Sequence, residues 1–334
     1  MEEWSHVDGG VFKDRIRPRN RPAILRGLVK DWPATRAGLE SPHSLAGYLK
    51  SFYSGHAAPL FEGPASIEGR FFYNDTLDGF NFESKRALLS DVLERLVKES
   101  GNPSAPALYS GSVSLPIYLP GFTQANHLKE LVTAESVRES IWIGNRTRIA
   151  AHFDNIENLA CVVGGRRRFT LFPPDQIRNL YVGPLDLTPA GQPITLVDVR
   201  NPDFERFPRY AEALKVAEVA ELNPGDAVYI PALWWHNVEA LDDFNVLVNY
   251  WWRDVPEYFD SPSNALLLCL LAVKGLPASQ RRDWKALFDY LIFQSDGEAL
   301  EHLPPKVRGL FGDLTSANAE RIRALLVKSL SRPG

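Results

Sequence analysis

The 334-residue sequence has only two cysteines, Cys161 and Cys269, and a single methionine. Each cysteine sits inside an apolar run, Leu159-Ala160-Cys161-Val162-Val163 and Leu266 to Ala272. There it behaves as a small hydrophobe, and such sparse usage suits a reducing cytosol. Long hydrophobic runs are absent as well: the longest, Ala265 to Val273, falls far short of the ~20 residues that cross a bilayer. Met1-Glu2-Glu3-Trp4-Ser5-His6 has neither a basic nor an apolar signal region, so no secretory signal is read and a soluble cytoplasmic protein without a membrane partner is expected. No charge sign dominates. A net charge of -4 and a pI near 6.0 provide no field to gather a polyanion, so nucleic acid is not an expected partner. Internal repeats and low-complexity segments are also missing.

What is present is a core. With 45% hydrophobic, 23% charged and 11% aromatic residues the composition is that of a folded globular chain. Arg21-Pro22-Ala23-Ile24-Leu25-Arg26-Gly27 reads as a short strand closed by glycine, with a proline turn at Asp31-Trp32-Pro33. A short helix is expected over Ser44 to Ser51 and an aromatic strand over Phe71 to Asp75. Phe82-Glu83-Ser84 should lead into a helix whose Leu88, Leu89, Val92, Leu93 and Leu96 share one face. Gly101-Asn102-Pro103-Ser104-Ala105-Pro106 breaks the pattern.

From Leu108 to Arg253 short strand signals follow one another, including Arg148 to Phe153, Asn158 to Val163, Arg167 to Phe172, Ile194 to Val199, Ala227 to Ile230 and Asn245 to Trp252. Turn chemistry separates them, Gly164-Gly165 and Asn223-Pro224-Gly225-Asp226 among others. Many short strands at turn-limited spacing predict a sandwich or small barrel. Beyond Pro256 the pattern becomes helical. Ser261-Pro262 reads as a cap and first position, Ala265 to Leu271 is apolar all round, as in a helix buried on several sides, and Trp284 to Phe293 and Ala319 to Leu330 are amphipathic. The expected organisation is an N-terminal α+β elaboration over 1–105, a β core over 106–255 and a C-terminal helical segment over 256–334 that packs on the barrel or forms a dimer interface.

Seven histidines among 41 acidic residues produce about one His-x-acid triplet by chance, so such a triplet needs supporting context. His6-Val7-Asp8 lies in a polar segment with no strand pattern. His152-Phe153-Asp154 instead ends an alternating segment, where side chains two apart share a face. His236, after Trp234-Trp235 on a later strand, is the third ligand candidate. Two imidazoles and one carboxylate leave a face of an iron(II) ion open to a bidentate cosubstrate and O2.

His152-Phe153-Asp154, Asn158, the run Gly164 to Gln176 (GGRRRFTLFPPDQ), Asn201 to Pro208 (NPDFERFP), Pro224-Gly225-Asp226, Ile230-Pro231 and Trp234-Trp235-His236 together resemble the JmjC/cupin-8 family of Fe(II)/2-oxoglutarate oxygenases. Within it the sequence is most similar to the asparaginyl hydroxylase of hypoxia-inducible factor, and the likeness extends from Pro22 to about Asp254. The resemblance implies a mainly β, double-stranded β-helix (cupin, jelly-roll) core. It implies Fe(II) at His152, Asp154 and His236, and 2-oxoglutarate lined by Tyr109, Asn158 and Asn249. Arg167 stands where the family carries a lysine for the distal carboxylate; a guanidinium can grip a carboxylate through two parallel bonds, and alternation turns Arg166 and Arg168 to the other face. Ile149 stands where the relative has a threonine, and the loop from Val182 to Pro193 differs from the relative's substrate-contact segment. Trp251, on the face of Asn249, is the substrate-pocket candidate. The implied activity is hydroxylation of a protein or peptide side chain, with O2 consumed and succinate and CO2 released, by a homodimer. The same chemistry on a free amino acid or other small molecule, N-demethylation, and a metal-binding cupin without 2-oxoglutarate remain open alternatives.

Overall fold

The structure is a computed structural model that describes residues 1–128, 131–134, 136–293 and 300–331. The chain divides into two compact units, Met1–Arg253 and Asp254–Gly334. The first contains the strands β1 (Glu2–Ser5), β2 (Ala23–Arg26), β3 (Ala57–Gly63), β4 (Arg70–Phe71), β5 (Glu83–Leu88), β6 (Ala107–Ser114), β7 (Val137–Gly144), β8 (Arg148–His152), β9 (Glu157–Gly164), β10 (Arg167–Phe172), β11 (Glu218–Leu222), β12 (Ala227–Ile230), β13 (Trp235–Ala240) and β14 (Asn245–Trp252).

These strands form two sheets, in the orders β1-β2-β12-β9-β14-β7-β6-β3-β5 and β11-β10-β13-β8-β4. From β7 onward the chain crosses repeatedly between them. One four-stranded half is β12-β9-β14-β7 and the other β11-β10-β13-β8, which makes the core a jelly roll of the cupin kind. The earlier strands extend this core: β1 and β2 continue one edge of the large sheet, and β6, β3 and β5 the other.

Alternation decides which residues line the barrel. Leu159, Cys161 and Val163 of β9, with Val246, Val248, Tyr250 and Trp252 of β14, face an outer core that also holds Leu45, Leu49, Leu89 and Leu93 of the helices Pro42–Lys50 and Leu89–Lys98. Their neighbours Ala160, Val162 and Leu247 face inward with Phe169, Leu171 and Val228. A covered outer face explains why β9 and β14 read as nearly continuous apolar runs. Gly165 turns β9 into β10 at φ +67, and a Cβ there would meet Asn245 Oδ1 at 2.4 Å and the Phe244 carbonyl at 2.5 Å. Asp226 ties β2 to the barrel: its carboxylate accepts from the Gly27 amide (2.9 Å) and from Arg26 (2.8 Å).

Several expectations are corrected. Ile194 to Val199 forms no strand, contributing a single bridge between Thr195 and Val182; the segment is anchored through Thr195, buried and bonded by its amide to the Ala151 carbonyl, instead of through a ladder. Residues 83–88 are strand β5, not the start of a helix, and Leu88 is 43% exposed; the helix starts at Leu89. The charged Glu83-Ser84-Lys85-Arg86 stretch suits an edge strand. The aromatic strand shortens to Arg70–Phe71, with Tyr73 bridging to Phe80.

The second unit carries the helices Pro262–Ala272, Ala278–Phe288 and Ser316–Leu330. Ser261 caps the first, accepting from the Ser263 amide with Pro262 in the first turn. That helix is not buried on several sides: Leu266, Leu267 and Leu271 are 54%, 62% and 74% exposed. The described part of this unit buries only Ala319 fully, so it has too little interior to cover an all-apolar helix.

Candidate metal centre

β8 and β13 lie side by side in the smaller sheet, and their register sets His236 opposite His152. Direct cross-strand neighbours are close, and the ring centroids stand 4.3 Å apart. Two residues beyond His152, just past the end of β8, Asp154 brings its carboxylate to 3.7 Å from His236 Nε2. One potential ligand atom from each of His152, Asp154 and His236 lies within 4.8 Å of the others, the only group of three such side chains found among the described residues. His6 is exposed and takes no part.

The surroundings prepare these groups for a metal. His152 Nδ1 lies 3.0 Å from the Ala150 carbonyl and His236 Nδ1 3.0 Å from the Trp234 carbonyl. A carbonyl only accepts, so each neutral ring carries its proton on Nδ1 and leaves the Nε2 lone pair free. Burial pushes the His236 imidazole down to about 4; His152 adds to this and Asp154 opposes it. The ring is therefore neutral near pH 7, as a ligand must be.

Asp154 is oriented by a directed chain of hydrogen bonds. Its Oδ2 accepts from Trp251 Nε1 (2.9 Å) and from Asn158 Nδ2 (3.0 Å). Asn158 Oδ1 accepts from Asn249 Nδ2 (3.3 Å), and Asn249 Oδ1 accepts from Trp142 Nε1 (2.7 Å). Because an indole can only donate, Trp142 sets the direction of the chain and thereby which face of each amide points at Asp154.

A cavity of about 350 Å3 surrounds the group, and Tyr109, Asn158, Arg167, Asn249 and Trp251 all line it. These five residues thus meet His152, Asp154 and His236 in one place. Arg167 is 1% exposed, and its Nε and Nη2 have no hydrogen-bond partner. Burial pulls its pKa down to about 10, with Tyr109 pulling weakly the other way, so it stays cationic at neutral pH. Arg166 and Arg168 point outward to Asp242 (2.8 Å) and Glu221 (2.9 Å), as strand alternation requires. A buried guanidinium with idle donors is costly, and a carboxylate is the group that two parallel N–H bonds fit. Ile149 lines the same space and adds no donor.

Sequence reasoning missed Trp142, which stacks on Tyr109 at 5.8 Å, and Arg138, whose guanidinium lies 4.1 Å from the Trp251 ring centroid. A signal existed: Arg138, Ser140 and Trp142 share one face of β7, opposite Ile141 and Ile143, which join the outer core.

A jelly-roll barrel that brings a His-x-Asp pair and a distant His together on adjacent strands defines a cupin with a candidate mononuclear metal-binding group. The chain belongs to the cupin-like domain family (cupin-8/JmjC), which it matches over residues 10–258. It is 35% identical to tRNA wybutosine-synthesizing protein 5 of Gallus gallus over 268 residues, 74% of this chain and 76% of the relative. It is 31% identical to HSPB1-associated protein 1 of Homo sapiens over 296 residues, 84% of this chain and 59% of the relative. Its identity to lysine-specific demethylase JMJ31 of Arabidopsis thaliana is 26% over 277 residues, 75% of this chain and 50% of that protein. The matches therefore span from half to three quarters of these relatives' own lengths. No helix among the described residues is long and apolar enough to cross a membrane.

Proposed function

We propose that the protein is an Fe(II)- and 2-oxoglutarate-dependent oxygenase that hydroxylates a protein or peptide side chain and releases succinate and CO2. The observation that carries the reading is Arg167, a buried cation with two idle donors in the cavity that also holds His152, Asp154 and His236. A cupin that bound metal alone would have no use for it. In this reading His152, Asp154 and His236 hold iron(II), and Arg167 holds the distal carboxylate of 2-oxoglutarate beside Tyr109. Iron(II), 2-oxoglutarate and O2 together supply the oxidation of an unactivated C–H bond. The chain's own contribution is positional: Asn158 and Trp251 steady Asp154, and Tyr109, Trp142 and Phe169 wall the space from bulk water. Demethylation, in the name of the plant relative, would use the same residues up to the substrate.

The test is succinate release from 2-oxoglutarate by purified protein with Fe(II), without added substrate. We expect slow uncoupled turnover, lost in His152→Ala. In Arg167→Leu the KM for 2-oxoglutarate should rise roughly 10- to 100-fold, the loss of a charge-assisted pair. No succinate from the unaltered protein, with metal binding unchanged in His152→Ala, would refute the reading.

A further inference from the structure

We propose that Arg138, carried on the face of Trp251, selects a substrate that bears a carboxylate beside the C–H bond to be oxidised. The inference rests on the oxygenase reading above and extends it to the substrate's chemistry. Arg138 is exposed, lies on β7 and lines the cavity. Among the described residues no carboxylate pairs with it, and the adjacent Glu139 is taken, accepting from Thr123 at 2.7 Å. Among the described residues it rests on the Trp251 ring, at 4.1 Å from the centroid. Trp251 in turn donates to the metal-ligand candidate Asp154 at 2.9 Å. The guanidinium is thus separated from that ligand by a single indole, and a carboxylate bound to it would lie in the same cavity as the metal-ligand group.

Charge balance points the same way. The side chains of fixed charge lining the cavity are Arg138, Arg167 and Asp154, the two imidazoles counting as neutral when they hold a metal. A divalent ion and the 2-oxoglutarate dianion cancel each other, and Asp154 offsets Arg167. One positive charge is left, at Arg138, the exposed one of the two arginines that line the cavity. A second polar residue, Ser112, lies on the wall of the same cavity. The pairing of β6 with β7 shifts register between Ser110 and Val113, and within this bulge Ser112 holds φ +51 and lines the cavity. Bulges re-aim side chains, and a left-handed conformation at a residue other than glycine persists where the structure holds it for a purpose such as clamping a ligand.

The carboxylate could belong to an acidic side chain in a peptide or to a free amino acid, and the test separates the two. Protein loaded with Fe(II) and 2-oxoglutarate is given three pools of octapeptides differing only at the central residue, Asp/Glu, Asn/Gln or Lys/Arg, with free aspartate and glutamate as a fourth arm. Succinate release above the substrate-free rate is one readout. Quenching of tryptophan fluorescence under argon, with Mn(II) in place of iron, is the other. We expect an acidic arm to bind about tenfold more tightly than the amide pool, the worth of one charge-assisted hydrogen bond, and to stimulate succinate release. Arg138→Glu should move the preference to the Lys/Arg pool, a reversal that a merely structural role would not produce. Stimulation by the free acids alone identifies a small-molecule substrate. Acidic arms no better than the amide pool, or an acid preference that survives Arg138→Glu, would overturn the proposal. Absence of substrate-free succinate release counts against the oxygenase reading instead, while the fluorescence arms still judge Arg138.

Discussion

Asp154 receives two hydrogen bonds on a single oxygen, from Trp251 and Asn158. Outer partners of this kind fix a ligand's orientation, and their loss commonly costs 10- to 100-fold in metal affinity. Trp251→Phe keeps an aromatic ring and removes one donor; Asn158→Ala removes the other. Each should weaken Mn(II) binding by about 10-fold or more, read by electron paramagnetic resonance titration of free metal, and the double variant should bind more weakly than either. Unchanged affinity in both single variants would mean that the backbone alone holds Asp154. The sequence marked Trp251 as a pocket residue, and the indole does line the cavity, but its N–H is committed to Asp154; a nitrogen already donating to a ligand carboxylate is not free for a substrate.

At the scale of elements, the turn between β9 and β10 has the tightest requirements near the site. It places Arg167 inward by fixing the register of β10 against β13, where Arg167 opposes Ala240 and Leu171 opposes His236. Gly165 makes that turn possible. Gly165→Ala would meet Asn245 and Phe244 and hold alanine at positive φ, so we expect it to cost about 1–3 kcal/mol in stability, measured by chemical denaturation. Slippage of β10 would turn Arg167 outward, so 2-oxoglutarate affinity should fall as well. A variant as stable as the parent would show that the turn can rearrange.

For the whole molecule, the exposed leucines of the second unit call for a cover. The homodimer expected from the family resemblance would provide one by pairing the helix Pro262–Ala272 with a second copy. Leu267 and Leu271, 62% and 74% exposed, are the residues to change. The protein should run as a dimer in light scattering, and Leu267→Glu with Leu271→Glu should leave a folded monomer. A dimer that survives the double substitution would place the interface elsewhere.

Local pattern alone determined a good deal. Period-two alternation and turn residues marked most strands of the core and set His152 and Asp154 on one face, while the family resemblance singled out Arg167 and alternation turned Arg166 and Arg168 away from it. Spacing along the chain could not bring His236 next to His152, since that depends on β13 pairing with β8 across more than eighty residues. Nor could it foresee the chain from Trp142 through Asn249 and Asn158 to Asp154, whose members come from β7, β14 and β9 and meet only when the sheet closes. The apolar run of residues 265–271 meets the same limit: hydrophobicity states that a face needs cover, and the pattern left open whether the chain itself or a second copy supplies it. For His152-Phe153-Asp154 the sequence specified the ligand chemistry, while the tertiary structure decided that the ligands converge, because imidazoles and carboxylates remote in sequence come within one ion's reach only when paired strands of a sheet hold them side by side.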